Sequence, residues 1–457
     1  MNAGRTLQPR HVDPMLPVDQ HASDQAKSSV LVKEVVCPNC WARFAPERVL
    51  YVASHPDLYG DILLGKNAPR RFLPSRFHPD GRAFDPKGAL THRLACPECH
   101  LAIPRVLLER PTLFASIFGS PKSGKSYLLA AMTHQLRKTL PKDFATNFSD
   151  ADPEANAILH GYEDTLFGGG DPDAMVQIAK TEEVGDWYQT VTFGTQEIAY
   201  PKPFFFQMSP VTGHPSADSA SKVSRTLCLY DNAGESFQPG ADQPNNPVTQ
   251  HMSRAHCLLF VFDPTQEPEF RKAARGHSDD PQMSLPVTSR QEVLLAEAAR
   301  RVKTYRGLPM TSLHDKPLIV LVTKYDAWQK LVGGSVLEKP WSQHPSQPFS
   351  VLRIDALLRV SASIRSLLRR LVPQIVSTAE SFVDPSKVLY LPISATGGPP
   401  RPDSRGNLRH RVGDLSPMWT EVPLLYVLSK FVGGLIPYRQ GGATGLNSTE
   451  GLQENSP

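Results

Sequence analysis

Gly119-Ser-Pro-Lys-Ser-Gly124-Lys125-Ser126 matches the pattern G-x-x-x-x-G-K-[ST], by which a backbone loop cradles phosphate. Glycines let successive N–H groups converge on an anion with no Cβ in the way. Leu113–Phe118 before the loop reads as a strand and Lys125–Leu140 after it as a helix, whose N-terminus adds partial positive charge. In such a loop Lys125 bridges the β- and γ-phosphates, and the Ser126 hydroxyl ligates Mg²⁺. Gly119, Ser123, Gly124 and Tyr127 complete the candidate nucleotide contacts.

A second constellation is built of sulfur. Cys37-Pro-Asn-Cys40 and Cys96-Pro-Glu-Cys99 are paired knuckles, and four such cysteines make a closed tetrahedral Zn²⁺ site. The gap between them exceeds the ~15–20 residues usual for such pairs, so residues 41–95 read as an inserted arm. His92 and His100 flank the second knuckle as substitute ligands that four cysteines make unnecessary. Redox use of either pair lacks the expected context. Cys228 and Cys257 fall in apolar strands and read as buried hydrophobes. Arg70, Arg71, Arg76, Arg82 and Arg93 interleave with Phe72, Phe77 and Phe84, which permits nucleic-acid contact, although solvated charge is the simpler reading.

Three short motifs come later in the chain, each at the C-terminal end of an expected strand. They are Asp231-Asn-Ala-Gly234, Thr323-Lys324-Tyr-Asp326 and Ser394-Ala395. Ligands of open α/β sheets bind at that edge. In this order the motifs resemble those of Ras-like (TRAFAC-class) P-loop GTPases. The resemblance implies that Asp231 holds Mg²⁺ through water and that the Gly234 N–H meets the γ-phosphate. It implies that Asp326 accepts hydrogen bonds from guanine N1 and N2, that the Lys324 stem covers the base, and that backbone at Ser394-Ala395 contacts guanine O6.

One position departs from the pattern. Ras-like enzymes carry a water-orienting Gln directly after D-x-x-G, whereas this chain has Glu235. A carboxylate there serves as base or water anchor but faces the γ-phosphate charge, or else ties a structural turn; hydrolysis is therefore expected to be slow, partner-dependent or absent. Thr195 is the expected first-switch threonine, with Thr192 and Thr190 as rivals. Asp263 is a competing, ATPase-type Mg²⁺ ligand, but with Pro264 after it the position reads as a cap. Arg254 reads as solvated rather than as an arginine finger.

The overall layout looks most like bacterial GTPases of the double-GTPase type, found in conflict and defence gene clusters, some with N-terminal zinc ribbons. That resemblance implies a Mg²⁺-dependent GTP/GDP switch that hydrolyses GTP and works with a protein effector or a second GTPase encoded nearby. Two alternatives stand beside it: a non-hydrolysing GTP-dependent interaction module, and a nucleic-acid-associated NTPase that grips through the ribbon.

The elements that must position these residues are legible as short apolar runs alternating with helical stretches, an α/β pattern with a mostly parallel sheet. Further strands are expected at Pro203–Met208, Arg225–Tyr230, His256–Phe262, Pro317–Val322 and Val388–Ile393, the first two of these adjacent and antiparallel. Helices are expected at Thr288–Tyr305, Val351–Phe382 (with a break at Pro373) and Met418–Phe431. The amphipathic 351–382 stretch reads as packing on the sheet, with a partner- or membrane-facing role as the alternative. The expected organisation is a disordered 1–30, a zinc-ribbon module with its arm over 31–110, a Ras-like domain over 111–435 and a disordered 436–457. Net charge is +4 over 457 residues, too mild to argue nucleic-acid binding by itself. With no signal-like or membrane-length apolar run, a cytoplasmic protein is expected.

Overall fold

The computed structural model describes residues 31–178, 188–193, 196–232, 247–287, 290–333 and 337–441. At its centre is a seven-stranded sheet: β1 (Thr112–Gly119), β2 (Thr146–Asp150), β3 (Phe204–Pro210), β4 (Arg225–Asp231), β5 (Cys257–Phe262), β6 (Leu318–Val322) and β7 (Val388–Pro392). The order across it is β2-β3-β4-β1-β5-β6-β7. β3 runs against both neighbours and every other pairing is parallel. This is an α/β fold built on a large, mostly parallel sheet.

The longer helices are α1 (Lys125–Phe144), α2 (Ala157–Phe167), α3 (Pro247–Arg254), α4 (Gln291–Tyr305), α5 (Ile354–Leu371), α6 (Pro373–Phe382) and α7 (Val422–Phe431). Among the described residues no helix is long and apolar enough to cross a membrane.

Three expectations need correction. The stretch 351–382 is not helical from its start: Ser350–Arg353 is a strand paired with Trp341–Gln343 and Tyr438–Arg439. The helix then breaks at Val372, as the ring and missing N–H of Pro373 require, and Pro373 opens α6 at its first turn. The last helix begins at Val422 rather than Met418, because Met418 exchanges backbone hydrogen bonds with Ser394. β2 was not foreseen, since Thr-Asn-Phe-Ser-Asp carries one large apolar residue and hence little periodicity. The chain also continues in ordered structure past residue 435: Ile436 is fully buried and Tyr438–Arg439 is a strand.

Alternation along the strands divides the core. One face, with Leu113, Ala115, Ile117, Leu229 and Leu259, packs on α1 and α7. The opposite face is covered in two halves. Over β5, β6 and β7 the cover is helical, from α4, α5 and α6, and α5 accordingly buries Ile364, Leu367 and Leu368. Over β1, β3 and β4, Phe114, Phe205, Cys228 and Tyr230 are covered instead by the cysteine-bearing segment. A sheet buried on both faces must be apolar nearly throughout, which is why β5 reads as an unbroken apolar run and β4 is apolar from Leu227 to Tyr230.

Among the described residues that segment is made of very short strands. Ala102–Ile103, Leu94–Ala95, Leu50–Val52 and Arg71–Phe72 form one small antiparallel sheet, and two hairpins fill the arm. Asp61 ties the arm to the second knuckle, accepting from the Leu63, Leu64 and Arg71 amides while lying 2.8 Å from His100 Nδ1. Elements this small bury little by themselves, and Trp41 completes the core by packing on Phe114, ring centroids 4.7 Å apart.

Candidate functional site

The described motif residues converge on the C-terminal edge of the sheet. β1 ends in the Gly119–Ser126 loop, β4 ends on Asp231, and Thr323 and Ser394 come just after β6 and β7. Two positions of the loop demand glycine. A Cβ on Gly119 would meet the Val261 carbonyl oxygen at 2.5 Å, and Gly124 has φ +90. Lys125 Nζ donates to the Gly119 and Ser120 carbonyls at 3.0 and 2.8 Å, which holds the ammonium over the loop.

Ser120 Oγ, Ser123 Oγ and both carboxylate oxygens of Asp231 are buried without a hydrogen-bond partner. Orphaned polar atoms of this kind cost ~1–3 kcal/mol each, more when charged, so their clustering marks a place built for a ligand. Burial pushes the Asp231 carboxyl up to about 6, against the opposing pull of Lys125. Buried, unpartnered hydroxyl and carboxylate oxygens of this kind suit a hard cation.

The other two motifs are joined to each other. Lys324 adopts the left-handed conformation (φ +54), and its Nζ reaches Asp263 Oδ2 at 2.7 Å and Thr265 Oγ1 at 2.9 Å. Tyr325 N donates to the Ile393 carbonyl, and Trp328 Nε1 donates to the Thr323 carbonyl at 2.8 Å. Ser394 Oγ donates to Asp326 Oδ1 at 2.5 Å and itself accepts from Gly397 N at 2.8 Å. Ser394 thus aims Asp326 through its hydroxyl, a contact that the backbone role expected for Ser394-Ala395 does not include. Burial raises the Asp326 carboxyl, and the Ser394 bond works against that shift.

Asp263 caps the short helix Pro264–Gln266, its Oδ1 accepting from both Thr265 N and Thr265 Oγ1. With Lys324 on Oδ2, the carboxylate is engaged on both oxygens, which leaves the capping reading in place. Arg254 is exposed at the end of α3. Thr195, Gly234 and Glu235 lie outside the described residues, as do the side chains of Thr190 and Thr192. One neighbour had no signal in the sequence: the strand Leu408–Arg411 brings the His410 ring to 5.7 Å from that of Tyr127.

The four cysteines form one cluster, with all four sulfurs within 4.8 Å of one another. Cys37 and Cys99 Sγ are 3.8 Å apart, and Cys40 and Cys96 Sγ 3.7 Å. A Zn–S bond of ~2.3 Å puts the edges of a regular tetrahedron at about 3.8 Å, so the cluster fits the metal. Asn39 N and Glu98 N point at Cys37 and Cys96 Sγ, each at 3.4 Å, as knuckle amides do. His100 turns to Asp61 and His92 is exposed, so the cluster is of sulfur alone. Cys228 and Cys257 are buried in the core, as expected. Of the arm's basic residues, Arg76 lies 4.5 Å over the Phe84 ring, Arg82 pairs with Asp80, and Arg71 bonds the His100 carbonyl.

No protein-family model matches the chain, and no curated protein matches it in sequence. Among solved structures it resembles the GTPase-like domain of S. cerevisiae Ski7 bound to GTP, at 13% identity over 70% of this chain and 50% of that one, with a TM-score of 0.27. It also resembles Sup35 complexed with GDP, at 13% identity over 64% of this chain and 40% of that one, with a TM-score of 0.21. The chain thus spans half or less of either. At these scores the likenesses are resemblances only, and function has to be read from the geometry of the site.

Proposed function

We propose that this chain is a GTP-binding molecular switch that uses Mg²⁺ and carries a zinc site in its cysteine module. The observation that carries the reading is the orphaned set Ser120, Ser123 and Asp231 around the Lys125 loop, on the same sheet edge as the Ser394–Asp326 pair. In this reading residues 31–110 form the metal module and the nucleotide domain starts at 111. The loop amides and Lys125 bind the phosphates, Ser126 and Asp231 hold Mg²⁺, and Asp326 with Lys324 selects and covers guanine. The metal supplies neutralisation of the β- and γ-phosphate oxygens.

Hydrolysis rests on Glu235 and Thr195. The resemblance to double-GTPase systems adds a partner, an effector or second GTPase encoded nearby. Single-turnover phosphate release tests this. Isolated protein is expected to release phosphate on the order of 10⁻³ s⁻¹ or slower, and faster with its partner. Tight GTP binding with no release under any partner would leave the non-hydrolysing GTP-dependent module as the function.

For the metal, purified protein is expected to hold one zinc per chain by elemental analysis. Cys37→Ser is expected to lose it and to lower the midpoint of thermal unfolding by about 5 °C or more, because a closed zinc site contributes folding free energy. Full occupancy in that variant would remove the four cysteines as the site.

A further inference from the structure

A short run of contacts leads from the first knuckle to the nucleotide edge. Tyr230 is 1% exposed, and its Oη donates to the carbonyl of Pro38, inside Cys37–Cys40, at 2.5 Å. The ring of Trp41, the residue that closes this knuckle with φ +63, lies 5.9 Å from the Tyr230 ring. On its other side Tyr230 stacks on His251 of α3, centroids 4.4 Å apart at 20°. His251 Nε2 lies 2.6 Å from Asn232 Oδ1. Asn232 Nδ2 donates to Ser116 Oγ at 3.1 Å and to the Ile117 carbonyl at 2.6 Å, both on β1. Asn232 Oδ1 is therefore the acceptor, and His251 carries its proton on Nε2.

Tyr230 and Asn232 are the two neighbours of Asp231. The first is held by the cysteine knuckle, and the second by a histidine stacked on the first. Covering the sheet would need only an apolar ring at position 230. A buried phenol hydroxyl requires a partner, and the partner here is a knuckle carbonyl.

We infer that metal binding at the cysteine cluster and nucleotide binding at the loop are coupled through Tyr230, with Tyr230 and His251 acting as positioning residues for Asp231. The inference rests on the reading of the two sites as zinc and GTP·Mg²⁺ sites. Metal at Cys37 and Cys40 fixes the Pro38 carbonyl, that fixes the Tyr230 ring and the end of β4, and Asp231 is set where a cation can use it. Coupling of this kind is reciprocal: each ligand must tighten the other by one and the same factor.

Zinc affinity, measured by competition with a chelator of known affinity, is compared with and without saturating GDP·Mg²⁺. GDP·Mg²⁺ affinity is measured in parallel on zinc-loaded and zinc-depleted protein. The two factors are expected to agree and to be about fivefold or greater. In Tyr230→Phe, which keeps the ring and loses only the hydroxyl, both factors are expected to fall to within about twofold of one. His251→Phe, which keeps the stack and loses the Asn232 bond, is expected to lower them too. Both ligands binding to the wild-type protein with factors near one overturns the coupling, as does an undiminished factor in Tyr230→Phe. Should that variant not fold, the wild-type pair of factors decides. Absence of zinc or of nucleotide binding overturns the underlying reading, and the inference with it.

Discussion

Replacing Asp231 by asparagine is expected to make the nucleotide-free protein more stable while removing its Mg²⁺-dependent binding of nucleotide. Asp231 is buried with both oxygens unpartnered, and burial lifts its carboxyl from the ordinary 3.8 to about 6. A folded-state value above the unfolded one means that the folded chain favours the protonated form. Ionisation then costs stability, in full above about pH 6 and not at all below about pH 4. The span corresponds to roughly 3 kcal/mol. Asparagine fits the same space without the charge. In urea denaturation without nucleotide, Asp231→Asn should therefore gain on the order of 2–3 kcal/mol at pH 7.5, with the gain shrinking towards zero as pH falls through 6 to 4. GDP·Mg²⁺ affinity should fall by about 100-fold, because a neutral amide cannot replace the carboxylate near the cation. A variant less stable than wild type at pH 7.5, or one that binds GDP·Mg²⁺ normally, would remove Asp231 from the role given to it.

The second large effect is expected at the base. Asp326→Asn should weaken GDP and GTP by about 100-fold and turn preference towards xanthine nucleotides. Two guanine N–H groups donating to a carboxylate make charge-assisted bonds of roughly 1.5–3 kcal/mol each. The amide offers one acceptor and a donor instead, which suits the carbonyl that xanthine carries at C2. Ser394 Oγ can still donate to the remaining oxygen, and the carboxylate is already penalised by burial, so the fold should tolerate the change. Titration with fluorescent nucleotides reads this directly. If GDP affinity stays within about threefold, or ATP competes equally with GTP in the wild-type protein, the guanine reading is lost.

Much of the fold was legible in the sequence because burial on both faces makes strands unmistakable. The runs at β1, β4, β5, β6 and β7 lie within a residue or two of their expected limits, since short, predominantly apolar stretches have few alternatives. β2 and the short strands of the cysteine segment were not legible, because pairing in them comes from neighbours distant in sequence rather than from their own pattern. The Ser350–Arg353 strand was absorbed into a helix for the same reason: Val-Leu-Arg fits either period until its partners at Trp341 and Tyr438 are known.

The site divides along the same line. The patterns at Gly119–Ser126, Asp231, Thr323–Asp326 and Ser394 and the cysteine pairs were visible in the sequence, because each is a local arrangement of neighbours in the chain. That the sulfurs close into one cluster, that Ser394 aims Asp326, and that Asp263 is consumed by Lys324 and Thr265 are matters of three-dimensional approach. The largest addition of the tertiary structure concerns Tyr230. In sequence it is one more apolar residue of β4, and its hydroxyl acquires meaning only when the Pro38 carbonyl arrives across 192 positions of chain. Local chemistry needs only spacing, whereas coupling between two sites needs atoms to meet, and only the folded chain decides which atoms do.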